Sequence, residues 1–389
     1  MTSRLLFVEL LLFTMCFNHI AIAETGVDAD SIRLGQSCAL SGPYKELGLN
    51  MCKGARAYFT YINSIGGVHG RRIEQVVLDD RYEPFEAENN TNTLISEKRV
   101  FAIFGEVGTP TSKYALPAAE KADVPFLMPF TGADFLRTPE KRWVINLRAS
   151  YDDEVEAMVK FITETKGVKK IAVFYQDDAY GKAGLSSTNK ALSKRGIKLV
   201  ANETYYKKID IPEDVFERLR AASPDAIIMI GAYLPCANFI KGATRSGMEN
   251  TLFCNVSFVG SETLVRLLDG NTKNVLISQV VPLPWDSSNP AVQEYQKLFR
   301  KIYPGDDFGF VSLEGFLAAK LTVKGLERAG QNPTRESFIA ALETIDKNAL
   351  EGLSLSLGKD HHQAMNTVYL TSYDNAKFQE IKRVTFGSN

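Results

Sequence analysis

Residues Ser31 to Pro43 (SIRLGQSCALSGP), followed by Leu47 to Asn63 and the glycine-rich Gly66 to Gly70, decide how this chain folds. The first segment is short and alternates apolar side chains, the pattern of a β-strand, and its Ser-Gly-Pro end turns the chain with backbone donors left free. In the second, Met51, Ala55, Tyr58, Phe59 and Ile62 share one helical face, and the glycines stop the helix. Strand, turn and helix in that order open a parallel α/β sheet.

The alternation continues. Strands are expected over 73–78, 100–104 and 124–128, with helices over 85–97 and 110–121 between them, which makes one doubly wound half. A strand over 144–147 leads into a second half. Its helices are expected over 152–165, 182–195, 213–222 and 237–246, and its strands over 171–175, 199–202, 226–230, 252–255 and 275–281. After Pro282 to Pro284 the pattern turns helical, over 291–302, 311–328 and 335–345, and then β-rich, over 353–357, 367–372 and 378–383. Helices without a sheet of their own must bury their apolar faces against an existing layer. The simplest arrangement is two Rossmann-like lobes, residues 24–146 plus 285–348 and residues 147–284 plus 349–389. The chain then crosses between them three times, near Asn146, Pro284 and Lys347.

Residues 1–23 read as a secretory signal: Arg4, an apolar stretch over 5–17 and an A-x-A site at Ala21 to Ala23. Cleavage leaves four cysteines for an oxidising compartment, and Cys38 with Cys52 and Cys236 with Cys254 are the favoured disulfide pairs, each joining a strand end to the start of a helix. Of 389 residues 45% are hydrophobic and 23% charged, and the formal net charge is −1, with no basic run. That balance argues against a nucleic-acid surface or a polybasic membrane patch and leaves a small molecule or another protein as partner.

Short motifs recur along nearly the whole chain: Gly35-Gln36 with Leu40 to Pro43, Asn63 with Gly66 to Val68 and Gly70-Arg71, Leu78 to Asp80, Phe104-Gly105, Val124 to Phe126, Tyr180-Gly181, Gly242-Ala243 with Gly247, and Val311-Ser312 with Glu314-Gly315. In this order they resemble the periplasmic leucine/isoleucine/valine-type binding proteins of ABC importers, which have the type I periplasmic binding fold. The resemblance implies a periplasmic, monomeric protein without cofactor or metal. It would capture an amino acid or related polar or amphipathic solute by hinge closure and dock on an inner-membrane permease. The alternative with the same fold is a sensor that presents itself to a membrane receptor kinase.

In open parallel sheets ligands sit beyond the carboxyl ends of the strands. The loops expected there carry Ser41, Tyr44, Glu106, Thr109 and Thr131 in the first lobe. In the second they carry Asp178, Tyr180, Tyr233 and Ser257. Thr109 suits the cap of a helix beginning at Pro110, with backbone N–H groups free for a carboxylate. Tyr180 and Tyr233 match positions where the resembled family closes an aromatic face over its ligand. Ser257 departs from that family, whose amino-acid binders carry an acid in this loop. Asp177, Asp178 or Glu106 would have to supply the missing charge; otherwise a neutral, aromatic or carboxylate-only ligand is expected. An enzyme is not expected: the chain lacks G-x-S-x-G, a P-loop and a G-x-G-x-x-G after its first strand, and His69, His361 and His362 neighbour no nucleophile.

Overall fold

The computed structural model describes residues 24–206 and 211–387, so the expected signal segment lies outside the described residues. The first sheet has the order β2-β1-β3-β4-β5 and is parallel throughout. Its strands are β1 (Ser31–Cys38), β2 (Arg72–Asp79), β3 (Ala102–Phe104), β4 (Phe126–Leu127) and β5 (Val144–Ile145), separated by α1 (Lys45–Ser64), α2 (Pro84–Ser96) and α3 (Thr109–Lys121) before β4. Met51, Ala55, Tyr58, Phe59 and Ile62 of α1 are all buried, as the periodicity requires.

The second sheet has the order β12-β11-β10-β9-β8-β6-β7. Parallel strands β6 (Ile171–Gln176), β7 (Ala201–Tyr205), β8 (Ala226–Ile230), β9 (Leu252–Asn255) and β10 (Val275–Gln279) are extended by an antiparallel hairpin of β11 (Thr367–Asp374) and β12 (Lys377–Thr385). Helices α4 (Tyr151–Lys160), α5 (Ala179–Ser193), α6 (Glu213–Ala222), α7 (Tyr233–Arg245) and α8 (Ser261–Leu268) accompany it. The sequence reading lacks α8, starts α7 four residues late, and places a strand at 353–357. That last stretch instead is irregular after an isolated bridge between Leu350 and Leu353, with the Ser356 amide donating to the Ala364 carbonyl at 2.8 Å.

Helices α9 (Pro290–Ile302), α10 (Phe310–Ala329) and α11 (Arg335–Glu343) return to the first sheet's layer. Helix α10 lies along α1 at backbone contact: a Cβ on Gly54 would stand 1.9 Å from the Ser312 carbonyl oxygen, and one on Gly315 2.2 Å from that of Met51. Only glycine permits this approach. The chain passes between the sheets at 146–150, 280–289 and 344–366, and the first and third passages pair through Asn146 and Gln363. Two doubly wound lobes thus face each other across a cleft. In each sheet the strand order reverses, between β1 and β3 and between β6 and β8, and the loops at these points open toward that cleft. No described helix is long and apolar enough to cross a membrane.

Candidate ligand-binding cleft

In the first lobe Tyr44, after β1, stacks on Tyr82 with ring centroids 4.4 Å apart. Tyr82 has a left-handed backbone (φ 63°), fixed by its amide donating to Asp80 Oδ1 at 2.8 Å. The loop after β3 closes onto this ring at Gly108, where φ is 115° and a Cβ would stand 2.4 Å from the Tyr82 ring. Phe130, from the loop after β4, meets Phe258 of the second lobe at 5.3 Å, and Phe258 in turn meets Tyr180 at 4.7 Å and Tyr82 at 6.2 Å. Tyr151 continues the surface from Tyr180 at 5.5 Å. All these rings are buried, so one apolar surface runs across both lobes.

Polar groups interrupt it. The Thr109 and Thr131 hydroxyls lie 2.6 Å apart, and Thr131 Oγ1 donates to the Tyr151 hydroxyl at 3.4 Å. Across the lobes, the Tyr44 hydroxyl donates to Gln176 Oε1 at 3.1 Å and that of Tyr233 to the Pro43 carbonyl at 2.5 Å. The Phe310 amide at the start of α10 donates to Glu262 of α8 at 2.7 Å. Burial pushes the Glu262 carboxyl up to about 6, against that bond.

Arg148 stands at the first crossing, fully buried, with its guanidinium 4.8 Å from the centre of the Phe130 ring. Its Nη2 donates to Glu154 Oε1 at 3.2 Å and to the Ser257 hydroxyl. Nη1 lies 3.7 Å from Glu314 Oε1, beyond hydrogen-bond reach, and neither Nη1 nor Nε has a hydrogen-bond partner. Burial opposes the charged form of Arg148, but Glu314 and Glu154 outweigh it and hold the group above its usual value. Glu154 also accepts from the Ser257 amide at 2.8 Å and the Ser257 and Ser278 hydroxyls at 3.0 and 2.6 Å. Burial raises Glu314 to about 7, with Arg148 opposing and Glu154 adding to the rise.

The residues singled out from sequence distribute unevenly. Tyr44, Thr109, Thr131, Tyr180, Tyr233 and Ser257 are buried along the cleft. Ser41 is exposed, its hydroxyl donating to Asp79 at 2.6 Å. Thr109 does not cap α3: Gly108 is the cap, and Thr109 is the first helical residue. Asp178 caps α5, accepting from the Tyr180 and Gly181 amides, and Asp177 pairs with Lys182 at 3.1 Å on the surface. Glu106 is buried beside Asp80 with no hydrogen bond to either oxygen, and the hydroxyl of neighbouring Thr111 donates to the Val107 carbonyl at 2.7 Å. Burial, with the Asp80 charge adding, drives its carboxyl well above the usual range. The expected disulfides are not formed: all four cysteines are free thiols, with Cys38 and Cys52 Sγ 3.1 Å apart. Arg148, Glu154, Tyr82 and Tyr151 escaped the sequence reading; a charged residue ending the apolar run Val144 to Leu147 was the available signal for Arg148.

A groove of about 1000 Å³ lies alongside, between α1, α8 and the β11–β12 hairpin; Leu47 and Gly260 line it, and Tyr82, Phe130, Arg148 and Tyr180 do not. It is an opening between the lobes next to the aromatic surface, not the surface itself.

The family model for periplasmic binding proteins matches residues 31–377. The chain belongs to that family. Among relatives it is 22% identical over 354 residues to the leucine-, isoleucine-, valine-, threonine- and alanine-binding protein of Pseudomonas aeruginosa, covering 90% of this chain and 92% of the other. Among solved structures, a possible leucine/isoleucine/valine-binding protein from Rhodopirellula baltica is 35% identical with a TM-score of 0.86, covering 92% of this chain and 98% of that one. The fold is shared with a fatty acid ABC transporter substrate-binding protein from Thermomonospora curvata at 22% identity and a TM-score of 0.83, covering 92% and 93%. Like other periplasmic binding proteins, the chain is a solute-binding protein and not an enzyme.

Proposed function

We propose that this periplasmic binding protein is exported by removal of residues 1–23, captures a small amphipathic solute between its lobes as a monomer, and presents the closed form to the permease of an ABC importer. The aromatic surface shared by the two lobes, held by the Tyr44–Gln176 and Tyr233–Pro43 bonds, carries this reading. A solute touching both walls favours the closed state by its differential contacts. Packing of α10 along α1 supports moving bodies of 24–146 plus 285–348 and 147–284 plus 349–389. The Pseudomonas relative, named for leucine, isoleucine, valine, threonine and alanine, supports a solute of that size.

The test is thermal unfolding of refolded, ligand-stripped protein against amino acids, aromatic acids, short-chain amides and neutral metabolites. A solute at a hundredfold excess over its Kd adds about 2.7 kcal/mol of stability. No shift with any class would move the assignment to the sensor reading. In the same reading, Cys38 and Cys52 close a disulfide after export, passing two electrons and two protons to a disulfide-bearing oxidoreductase. A periplasmic sample in which both thiols react with an alkylating agent, by intact mass, would refute it.

A further inference from the structure

We infer that Arg148 forms an anion site in the cleft, and that the solute it selects carries a carboxylate and no ammonium group. The inference rests on the solute-binding reading and deepens it. Both lobes reach this guanidinium: the Phe130 ring and Glu314 from one, Glu154 and Ser257 from the other. A guanidinium has five N–H donors, and leaving buried ones unpaired is costly. Nη2 is engaged by Glu154 and Ser257, whereas Nε and Nη1 hydrogen-bond to nothing. A carboxylate is the planar acceptor that matches such a fork.

The surroundings favour the same ligand. Phe130, over which Arg148 lies, is followed directly by Thr131, whose hydroxyl joins those of Thr109 and Tyr151. These hydroxyls can turn toward an anion. Arg137 adds a half-buried positive charge nearby, with its donors bound to Gln363 and to the Ala133, Thr131 and Arg148 carbonyls. Of the two acids at this guanidinium, burial raises Glu314 to about 7, and Glu154 has nothing to offer a cation. Each oxygen of Glu154 already accepts two bonds, filling its lone-pair sites. Asp178 and Asp177 are engaged by α5 and by Lys182. Arg148 is thus the cation of this cleft, and a ligand ammonium beside it would meet a like charge, which costs several kcal/mol.

Matched acids with and without the amine test this: 3-methylbutanoate against valine, 4-methylpentanoate against leucine, 3-phenylpropanoate against phenylalanine, by calorimetric titration of the stripped full chain. We expect at least one deaminated acid to bind, roughly tenfold or more tighter than its amino acid. An amino acid binding as tightly or tighter overturns the inference and leaves the solute-binding reading standing. If no pair binds, the inference is overturned as well. Mass spectrometry of the natively purified protein then decides whether the broader reading survives, since a co-purifying solute of another class would preserve it. The second arm is Arg148→Gln combined with Glu154→Gln, which removes both members of the 3.2 Å pair and leaves Glu314, already raised to about 7 by burial, to keep its proton. A structural role alone would weaken all ligands alike. A contact role lowers the ratio of acid to amino-acid affinity by roughly tenfold, and an unchanged ratio in a folded variant refutes the assignment.

Discussion

Glu154 and Glu106 are both carboxyls without exposed surface, and the chain treats them in opposite ways. Glu154, at the second lobe's face, is met by Arg148 and by donors from Ser257 and Ser278. Glu106, beyond β3 in the first lobe, has no hydrogen bond at either oxygen and a second acid, Asp80, beside it. Burial forces a carboxyl either to acquire a counter-charge or to keep its proton. The second lobe took the first route and the first lobe the second.

The largest effect should come from breaking the paired side. Glu154→Ala leaves Arg148 charged in the interior and should cost about 3–5 kcal/mol by urea unfolding. The double change Arg148→Met with Glu154→Leu should recover most of that loss. Glu106→Gln copies the shape of a protonated acid and should cost no more than about 1 kcal/mol. A Glu106→Gln loss as large as that of Glu154→Ala would mean that Glu106 does not keep its proton, and the contrast would fail.

The pH dependence sharpens the unpaired side. Burial raises the Asp80 carboxyl to about 6 against bonds from Ser37 and the Tyr82 amide, and Glu106 is raised in the same direction. An acid whose folded pKa lies above its unfolded one binds its proton more tightly when folded. Its contribution is therefore complete below about pH 4 and lost as pH rises through the folded value. For Asp80 a rise of about two units corresponds to about 3 kcal/mol, lost between about pH 4 and pH 7. Asp80→Asn should flatten that part of the unfolding-midpoint profile, and a profile unchanged by the substitution would mean that Asp80 is not held protonated.

The same contrast separates what was legible in the sequence from what was not. Helix α1 and strands β1 and β2 follow from local pattern, because the buried face of α1 repeats at helical spacing and β1 pairs in parallel with the strand that follows that helix. The eight residues of α8 were missed although Leu264, Val265 and Leu268 form an apolar face, since about two turns after Gly260 give little periodicity to read. The expected strand at 353–357 fails for another reason: Leu353 and Leu355 are buried by the crossing itself, where the backbone bonds to Ala364 rather than to a sheet. In the cleft, Tyr44, Tyr180 and Tyr233 could be placed because they follow strand ends whose loops the topology puts together. The Arg148–Glu154–Ser257 set could not, since its members come from a crossing, a helix and a loop more than a hundred residues on. Glu314 was visible as an acid in the mostly apolar first half of α10, but its partner was not.

The smallest effect probes closure. Tyr44 of the first lobe and Tyr205 of the second donate to the same oxygen, Gln176 Oε1, at 3.1 and 3.0 Å. Only the Tyr44 bond spans the cleft, so only it should depend on whether the lobes have met. Tyr44→Phe keeps the stack on Tyr82 and leaves Gln176 with its Tyr205 bond, so no buried acceptor is orphaned. The loss is then about 0.5–1.5 kcal/mol, a roughly two- to twelvefold weakening of solute affinity by calorimetry, with the unfolding midpoint of the ligand-free protein unchanged. Tyr205→Phe should do the reverse, lowering the ligand-free midpoint because its bond lies within the second lobe and holds in either state. If Tyr44→Phe lowers that midpoint as much as Tyr205→Phe, the lobes are already closed without solute, and binding selects a pre-existing state rather than driving the two walls together.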